Sequence, residues 1–241
     1  MNDWITPDWP APANVRSLVT TRVGGVSAAP YASLNFGDHV GDDPAAVARN
    51  REILSLETGC APLWLSQVHG TDIALVGSAG QGTTADGSVC RLPGAACAVM
   101  TADCLPLLLC DRAGTVVAAV HAGWRGLCAG VIEAAVAAMK VPAGEVLAWL
   151  GPAIGPQAFE VGHEVREAFM AHDPQAALAF GARNGKWLCD IYLLARQRLS
   201  AQGVAGTWGG GLCTFTDSER FYSFRRDGVT GRLASLVWLA G

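Results

Sequence analysis

Residues 97–126 read CAVMTADCLPLLLCDRAGTVVAAVHAGWRG. This stretch overlaps three short apolar runs, at residues 95–100, 105–110 and 116–120. Runs of this length are more typical of buried strands than of helices. We therefore predict three buried strands, with the Asp-Arg-Ala-Gly sequence of residues 111–114 forming a tight turn between the second and the third.

Three residues that can bind a metal follow strand-like runs. Cys104 comes after the first central run, His121 comes after the third, and His69 ends the upstream segment Trp64-Leu-Ser-Gln-Val-His69. Sites in α/β sheets form where strands end and loops begin. One such residue alone is more often simply buried, but three of them, each beside small residues and turns, favour a metal site.

The segment after His121 reads Ala122-Gly-Trp-Arg-Gly126 and leads into a helical pattern at residues 127–140. A strand, a glycine-containing turn and a helix start form a candidate anion cradle, because free backbone N–H groups point outward there. We therefore expect an anion near residues 123–127.

Three motifs of the chain resemble the laccase-domain (YfiH-like) purine nucleoside phosphorylase family: Gln67-Val-His-Gly70, Thr101-Ala-Asp-Cys-Leu-Pro106 and His121-Ala-Gly-Trp-Arg-Gly126. Further matches extend over nearly the whole chain, at residues 20–27, 33–35, 40–43, 50–51, 151–154, 159–162, 213–214 and 221–227. The resemblance implies a zinc-dependent enzyme that phosphorolyses adenosine, inosine and methylthioadenosine and also deaminates adenosine. Its partners would be a purine nucleoside and phosphate.

The metal ligands predicted from the residues and the resemblance are His69, Cys104 and His121. Zinc accepts imidazole nitrogen and thiolate, and catalytic zinc keeps one position open where structural zinc has four protein ligands. No fourth ligand is evident in the matching motifs, so we predict a catalytic zinc that holds Cys104 as a thiolate and activates a bound water. Cys104 and His121 are thus also catalytic candidates. Asp103 either transfers a proton or orients a neighbouring group.

The predicted substrate-binding residues are Arg22, Asn35, Gln67, Asp86, Arg125 and Arg225. The guanidinium groups of Arg125 and Arg225 suit phosphate or ribose contact, with surface salt bridges as the other interpretation. Asp86 either lines the site or belongs to a turn, and Arg22 is assigned on the resemblance. Phe224 stands where family members often carry His or Tyr, a departure that could alter substrate choice.

Two other functions use the same residues. A metal-free cysteine hydrolase would use Cys104 as nucleophile and His121 as base, and some family members are linked to proofreading of peptidoglycan precursors. The older family label is copper polyphenol oxidase. A multinuclear copper cluster needs many imidazole ligands, and a chain with five His and no His-x-His pair argues against it.

Composition limits the partners and the compartment. The chain has 241 residues, a formal net charge of −4 and no basic run, which argues against nucleic acid or an acidic membrane as a partner. Its N-terminal residues do not resemble a signal peptide, and no apolar run has the length of a membrane span. Eight Cys without a Cys-x-x-Cys pair fit a cytoplasmic protein with reduced thiols. We expect a monomer or a small homo-oligomer.

The rest of the pattern predicts one α/β domain over residues 1–241, with a layered mixed β-sheet and packing helices. Additional strands are predicted at residues 15–21, 63–68 and 146–150, and a closing hairpin at 221–225 and 233–239. Helices are predicted at residues 44–58, 127–140, 160–171 and 190–201. The first helix has Asp43 as its N-cap, Pro44 at its first position and Gly59 just after its end.

Overall fold

Two β-sheets stacked between helical layers form the molecule in a computed structural model that describes residues 3–241. The strands are β1 (Val15–Val19), β2 (Ala61–Leu63), β3 (Ile73–Leu75), β4 (Gly87–Cys90), β5 (Ala95–Thr101), β6 (Leu105–Asp111), β7 (Val117–Ala122), β8 (Val146–Leu150), β9 (Glu160–Val161), β10 (Phe180–Arg183), β11 (Lys186–Cys189), β12 (Gly206–Gly209) and β13 (Leu233–Leu239). The helices are α1 (Pro44–Thr58), α2 (Trp124–Ala129), α3 (Val131–Ala138), α4 (His163–His172), α5 (Ile191–Ala201) and α6 (Phe224–Asp227). Short 3₁₀ turns cover Ala143–Glu145 and Pro174–Ala179.

The central sheet has six strands in the order β12-β8-β6-β7-β4-β3, and it is mixed. β6 pairs antiparallel with β7 and β8, whereas β12 with β8 and β3 with β4 are parallel pairs. A second sheet has the order β1-β13-β5-β2, and a small third one joins β10, β11 and β9. The structure thus confirms the predicted α/β fold with mixed sheets.

Side-chain alternation along β6 shows how the layers pack. Leu107 and Leu109 belong to the core shared with α3 and α5, whereas Leu108 and Cys110 belong to the core shared with the second sheet. Successive residues of a strand point to opposite faces, so a fully apolar strand buries both. The outer face of the second sheet packs against α1 in a further apolar cluster. The resulting order of layers is helices, central sheet, second sheet and α1.

The predicted start and end of α1 are confirmed. The Asp43 side chain accepts a hydrogen bond from the Ala45 amide, Pro44 is the first helical residue, and Gly59 takes a left-handed conformation at φ 66°. A carboxylate at the N-cap and a glycine after the last turn satisfy backbone groups that a helix leaves unpaired.

Three predicted segments differ from the structure. The helix predicted at residues 127–140 is two helices, α2 and α3, because Gly130 adopts φ 103° between them. The helix predicted at 160–171 starts only at His163, since residues 160 and 161 form β9 and pair with β11. Of the strand predicted at 63–68, only Leu63 lies in a strand, because β2 covers Ala61–Leu63 and its pairing with β5 stops there.

The predicted closing hairpin is wrong. Ser223 accepts a hydrogen bond from the Arg226 amide and caps the short helix α6, so residues 221–225 do not form a strand. β13 pairs instead with β1 and β5, which are distant in sequence. Within the described part of the chain, no helix is both long enough and apolar enough to cross a membrane.

Candidate metal centre

The three predicted metal ligands lie together at one end of the central sheet. The donor atoms of His69, Cys104 and His121 are all within 4.8 Å of one another, and Cys104 Sγ is 3.7 Å from His69 Nε2. His69 is in the loop after β2, Cys104 is between β5 and β6, and His121 is on β7. His121 is buried, whereas His69 is exposed, so the group opens towards solvent on the His69 side.

Asp86 orients two of these ligands at once. Its carboxylate accepts a hydrogen bond from His121 Nδ1 at 2.8 Å, which leaves Nε2 of that ring for a metal. It also accepts the backbone N–H groups of Val68, His69 and Gly70 at 3.2, 2.8 and 2.6 Å. A carboxylate behind a metal-binding imidazole sets its tautomer and raises its basicity.

The backbone at His69 is in an unusual conformation, at φ 61°. Such a conformation costs of order 1–3 kcal/mol in a residue other than glycine, and it persists only where surrounding contacts impose it. The three N–H bonds to Asp86 supply those contacts. Burial alone would raise the pKa of Asp86, but hydrogen bonds from His121 and from the amides of Gly70 and His69 hold it below the ordinary value.

A second unusual backbone conformation positions Cys104. Asp103 adopts φ 94° in the break between β5 and β6. Its carboxylate accepts the Thr214 hydroxyl at 2.6 Å and the Arg225 amide at 2.6 Å. Both oxygens of Asp103 are therefore engaged by remote parts of the chain, an arrangement that orients the loop carrying Cys104.

The thiol and the imidazole of the group favour opposite charges. Burial opposes a thiolate, yet His121 and His69 lower the pKa of Cys104 to about 6. Burial likewise opposes an imidazolium, yet the Cys104 thiolate and Asp86 raise the pKa of His121 to about 9. Metals bind cysteine as thiolate, so this environment prepares Cys104 as a ligand.

One pair of donor atoms has the spacing of a tetrahedral zinc site. Zn–S and Zn–N bonds of about 2.3 and 2.0 Å in a tetrahedral shell place S and N roughly 3.5 Å apart, and Cys104 Sγ lies 3.7 Å from His69 Nε2. The backbone also leaves room for these ligands at Gly123. A Cβ at this position would lie 2.6 Å from His69 Cδ2 and 3.1 Å from Cys104 Sγ.

Two cavities flank the group and share part of its wall. The first, the Arg232 cavity, has a volume of about 350 Å³ and is lined by His39, Gln67, His69, Met100, Thr101, Ala102, Cys104, His121, Arg125, Phe224 and Arg232. The second, the aromatic cavity, has a volume of about 250 Å³ and is lined by His69, Ala102, Asp103, Cys104, Trp124, Arg125, Ile154, Phe159, Ile191, Phe224 and Arg225. His69 and Cys104 therefore line both cavities, whereas His121 lines the Arg232 cavity and not the aromatic one.

Comparison with known proteins shows the family of the chain. Residues 16–240 match the family model described as multi-copper polyphenol oxidoreductase laccase. The chain belongs to this laccase-domain family. A relative from Pseudomonas aeruginosa, named purine nucleoside phosphorylase, is 59% identical over 99% of both chains. A relative named purine nucleoside phosphorylase YfiH from Escherichia coli is 54% identical over 99% of this chain and 100% of its own.

Solved structures of similar proteins agree with the fold. The crystal structure of a Neisseria meningitidis protein superposes with a TM-score of 0.96 at 55% identity and covers 99% of this chain and 100% of the other. The structure of YlmD from Geobacillus stearothermophilus gives a TM-score of 0.91 at 29% identity, over 99% and 96% of the two chains.

The laccase-domain fold separates the predicted substrate residues. Arg125 lines both cavities and Arg225 lines the aromatic cavity. Gln67 lines the Arg232 cavity, but its amide is bonded to both the N–H and the C=O of Met100. Their contact with a substrate stays a prediction.

Arg22 and Asn35 lie outside the residues that line these cavities. Arg22 donates to the carbonyls of Ala32 and Ser218, and Asn35 is fully buried. Asn35 Oδ1 accepts the amide of Arg232 at 2.8 Å, which places Asn35 behind the cavity wall.

Sequence reasoning missed Arg232, Trp124 and Phe159. Arg232 enters the site because β13 pairs with β5 in a register that places Leu233 opposite Thr101. Arg232 directly precedes Leu233, and Thr101 is the last residue of β5 before the loop that holds Cys104. No local pattern indicates that pairing, since the partners are more than 130 residues apart. Trp124 had a sequence signal, because it lies inside the motif that begins at His121.

Proposed function

We propose that the chain is a zinc-dependent purine nucleoside phosphorylase that acts on adenosine, inosine and methylthioadenosine. The observation that carries this proposal is the His69, Cys104 and His121 group at the junction of two cavities. It is supported by full-length relatives that carry the name purine nucleoside phosphorylase at 54–59% identity.

Zinc would be held by His69 Nε2, Cys104 Sγ and His121, and when bound it would act as a Lewis acid on an oxygen of substrate or water. Asp86 holds the His121 ring and the His69 backbone in the geometry this requires. Asp103 is proposed to position Cys104, because its carboxylate oxygens are already engaged by Thr214 and Arg225.

Phosphorolysis requires an anion and a nucleoside side by side. The glycosidic C1′–N bond breaks with its electron pair on the base nitrogen, a phosphate oxygen bonds to C1′, and the base takes a proton. Cationic side chains can bind the phosphate, and an adjacent apolar, aromatic space can bind the purine base. Arg125, which lines both cavities and stacks on Trp124 at 4.4 Å, lies at that boundary.

We also propose adenosine deaminase activity at the same group. The support is the donor set itself: two imidazoles and one thiolate leave a position open for water when zinc is bound. Both reactions would then depend on the same ligands. His121→Ala is accordingly expected to abolish both together.

The test is metal analysis of the purified protein followed by a nucleoside panel with and without phosphate. The proposal expects about one zinc per chain, adenine release from adenosine only with phosphate, and ammonia release without it. Inosine and methylthioadenosine should give free base and sugar phosphate in the phosphate arm. Zinc-loaded protein that turns over no purine nucleoside would refute the proposal.

Arg125→Ala separates two roles for that residue. If Arg125 binds phosphate, phosphorolysis falls more than deamination. Equal loss of the two activities would mean that Arg125 holds the nucleoside or the loop instead. The exposed Arg49, paired with Glu52 on the surface of α1, offers a matched control, and Arg49→Ala should leave both rates unchanged.

A cysteine hydrolase is the second candidate, with cell-wall precursors as its candidate substrate class. The observation in its favour is an environment that, in the absence of metal, favours a Cys104 thiolate beside a protonated His121. His121 acts as the base when it takes the thiol proton, and the resulting thiolate is the nucleophile. Turnover of an amide or ester by metal-free protein, blocked by alkylation of Cys104, would support it. A copper oxidase fits poorly, because among residues 3–241 the metal-capable group contains two imidazoles and one thiolate.

We propose a cytoplasmic location for this activity, on the support of eight free thiols, six of them buried. The partners proposed are the small-molecule substrates, with a net charge of −4 disfavouring nucleic acid. The proposal includes a monomer or small homo-oligomer.

A further inference from the structure

The two cavities beside the candidate metal ligands differ in chemistry. The lining of the Arg232 cavity, as far as residues 3–241 describe it, contains two guanidinium groups and no carboxylate. The aromatic cavity is lined by Trp124, Phe159 and Phe224 together with two isoleucines. One space therefore suits an anion, and the other suits a flat apolar ring.

Hydrogen bonds of its backbone and side chain hold Arg232 in place. Its amide is bonded to Asn35, and its Nη1 donates to the carbonyls of Thr230 and Gly231 at 3.0 Å each. Its Cγ packs so closely on Gly37 that a Cβ there would lie 2.8 Å away. Nε and Nη2 have no hydrogen-bond partner within the described residues, so two donors of a preorganised guanidinium are free for a ligand.

Thr101 adds a second unpaired group on the same wall. It lies at the end of β5, is 2% exposed, and its hydroxyl has no hydrogen-bond partner among residues 3–241. Buried hydroxyl groups nearly always have one, so an orphan in a cavity wall indicates a water or ligand oxygen. Its position opposite Leu233, the residue after Arg232, brings the two groups to the same place.

We propose that orthophosphate binds in the Arg232 cavity, held by Arg232, Arg125 and the Thr101 hydroxyl, while the purine base occupies the aromatic cavity. This assignment rests on the proposed phosphorylase function. The sugar would then lie where the two cavities meet, beside the shared lining residues Cys104 and Phe224, with the phosphate on one side and the base on the other. Attack and departure on opposite sides are what displacement at C1′ requires, and no oxidant or reductant is involved.

The decisive measurement is calorimetric titration of inorganic phosphate into the wild type, Arg232→Gln and Thr101→Val, each with zinc and after chelation. We expect Arg232→Gln to weaken phosphate binding at least tenfold and Thr101→Val to weaken it about threefold, as loss of a charge-assisted or a single hydrogen bond would. The loss should persist in the metal-free protein. Arg49→Gln is the surface control.

Kinetics provide the second readout. In Arg232→Gln the KM for phosphate should rise while the KM for nucleoside stays within about twofold, and Phe159→Ala should show the reverse. Sulfate should compete with phosphate and not with nucleoside. Thr101→Val removes no hydrogen bond within the described protein, so it should fold, and it decides the question if Arg232→Gln does not.

The outcomes separate this inference from the proposed function. Wild-type phosphate affinity in both Arg232→Gln and Thr101→Val, in a protein that does phosphorolyse nucleosides, overturns the inference and leaves the function. Arg232-dependent phosphate binding in a protein without phosphorolysis overturns the function and leaves the anion site. A rise of both KM values together in Arg232→Gln overturns the division of the two cavities.

Discussion

The two ends of the central hairpin, β6 with β7, each have a buried aspartate beside them, and the two aspartates are satisfied in different ways. Asp111, in the turn, accepts the amides of Thr115 and Val116 and the Thr115 hydroxyl, at 2.6–3.0 Å. Asp86, at the opposite end, accepts three amides from residues 68–70 and the ring of His121.

The difference lies in the sequence separation of the partners. Those of Asp111 are four and five residues away, so its carboxylate stabilises one local turn. Those of Asp86 are 16–18 and 35 residues away, so its carboxylate ties two segments of the fold together. Similar local chemistry thus yields a turn at one end and a metal-ligand scaffold at the other. Five substitutions test this contrast.

The largest effect is expected for Cys104→Ala. The variant should lose most bound zinc and nearly all activity, while its thermal unfolding midpoint stays within a few degrees of the wild type. The fold should survive because the ligands project from a sheet that is already buried. Metal content by mass spectrometry and circular dichroism measure the two quantities. Full zinc occupancy in the variant would remove Cys104 from the site.

Asp86→Asn should weaken zinc binding roughly 10–100-fold, the usual cost of losing a carboxylate behind a metal-binding histidine. The amide would also turn a donor towards some of the N–H groups at residues 68–70, so unfolding should be easier by about 1–3 kcal/mol. Competition with a chromophoric chelator gives the affinity. Unchanged zinc affinity would show that Asp86 only stabilises the loop at residues 68–70, as Asp111 stabilises its turn.

Gly123→Ala should weaken zinc binding about tenfold, because its Cβ would push on His69 and Cys104. The matched change at the other end is Gly114→Ala, where φ is 66° and a Cβ would meet the Asn14 side chain. That variant should bind zinc normally and lose about 1–2 kcal/mol of stability. A loss of zinc affinity in Gly114→Ala would contradict the independence of the two ends.

Asp111→Asn should change only stability, by about 1–3 kcal/mol. Burial would raise the pKa of Asp111, but hydrogen bonds from the Thr115 side chain and the amides of Val116 and Thr115 hold it below the ordinary value. Its contribution is therefore present above the unfolded-state pKa of about 3.9 and disappears as the pH falls through the folded value. Denaturant titrations should show a constant gap from wild type at pH 5–8 that shrinks below about pH 4; a gap that grows there would reverse the assignment.

The elements that sequence reasoning predicted well are those with local causes. The limits of α1 follow from Asp43, Pro44 and Gly59, which act within a few residues of the helix ends. The central strands could be predicted from their continuous apolar runs, because a strand in a sheet buried on both faces has apolar residues throughout. The prediction of a C-terminal hairpin was wrong because strand pairing does not have a local cause. A strand-like composition does not indicate which strand will pair with it, and β13 pairs with β1 and β5 rather than with the residues that precede it in sequence.

The donor chemistry of the candidate metal centre could be predicted from the sequence, since two imidazoles and one thiolate, each beside small residues and turns, together favour a metal site. The tertiary structure alone decided what surrounds that centre. It brought Asp86 behind His121, engaged both oxygens of Asp103, and placed Arg232 beside Cys104. The physical reason is that these contacts close loops of 35 to more than 120 residues, and such contacts depend on strand order and register, which no local pattern encodes.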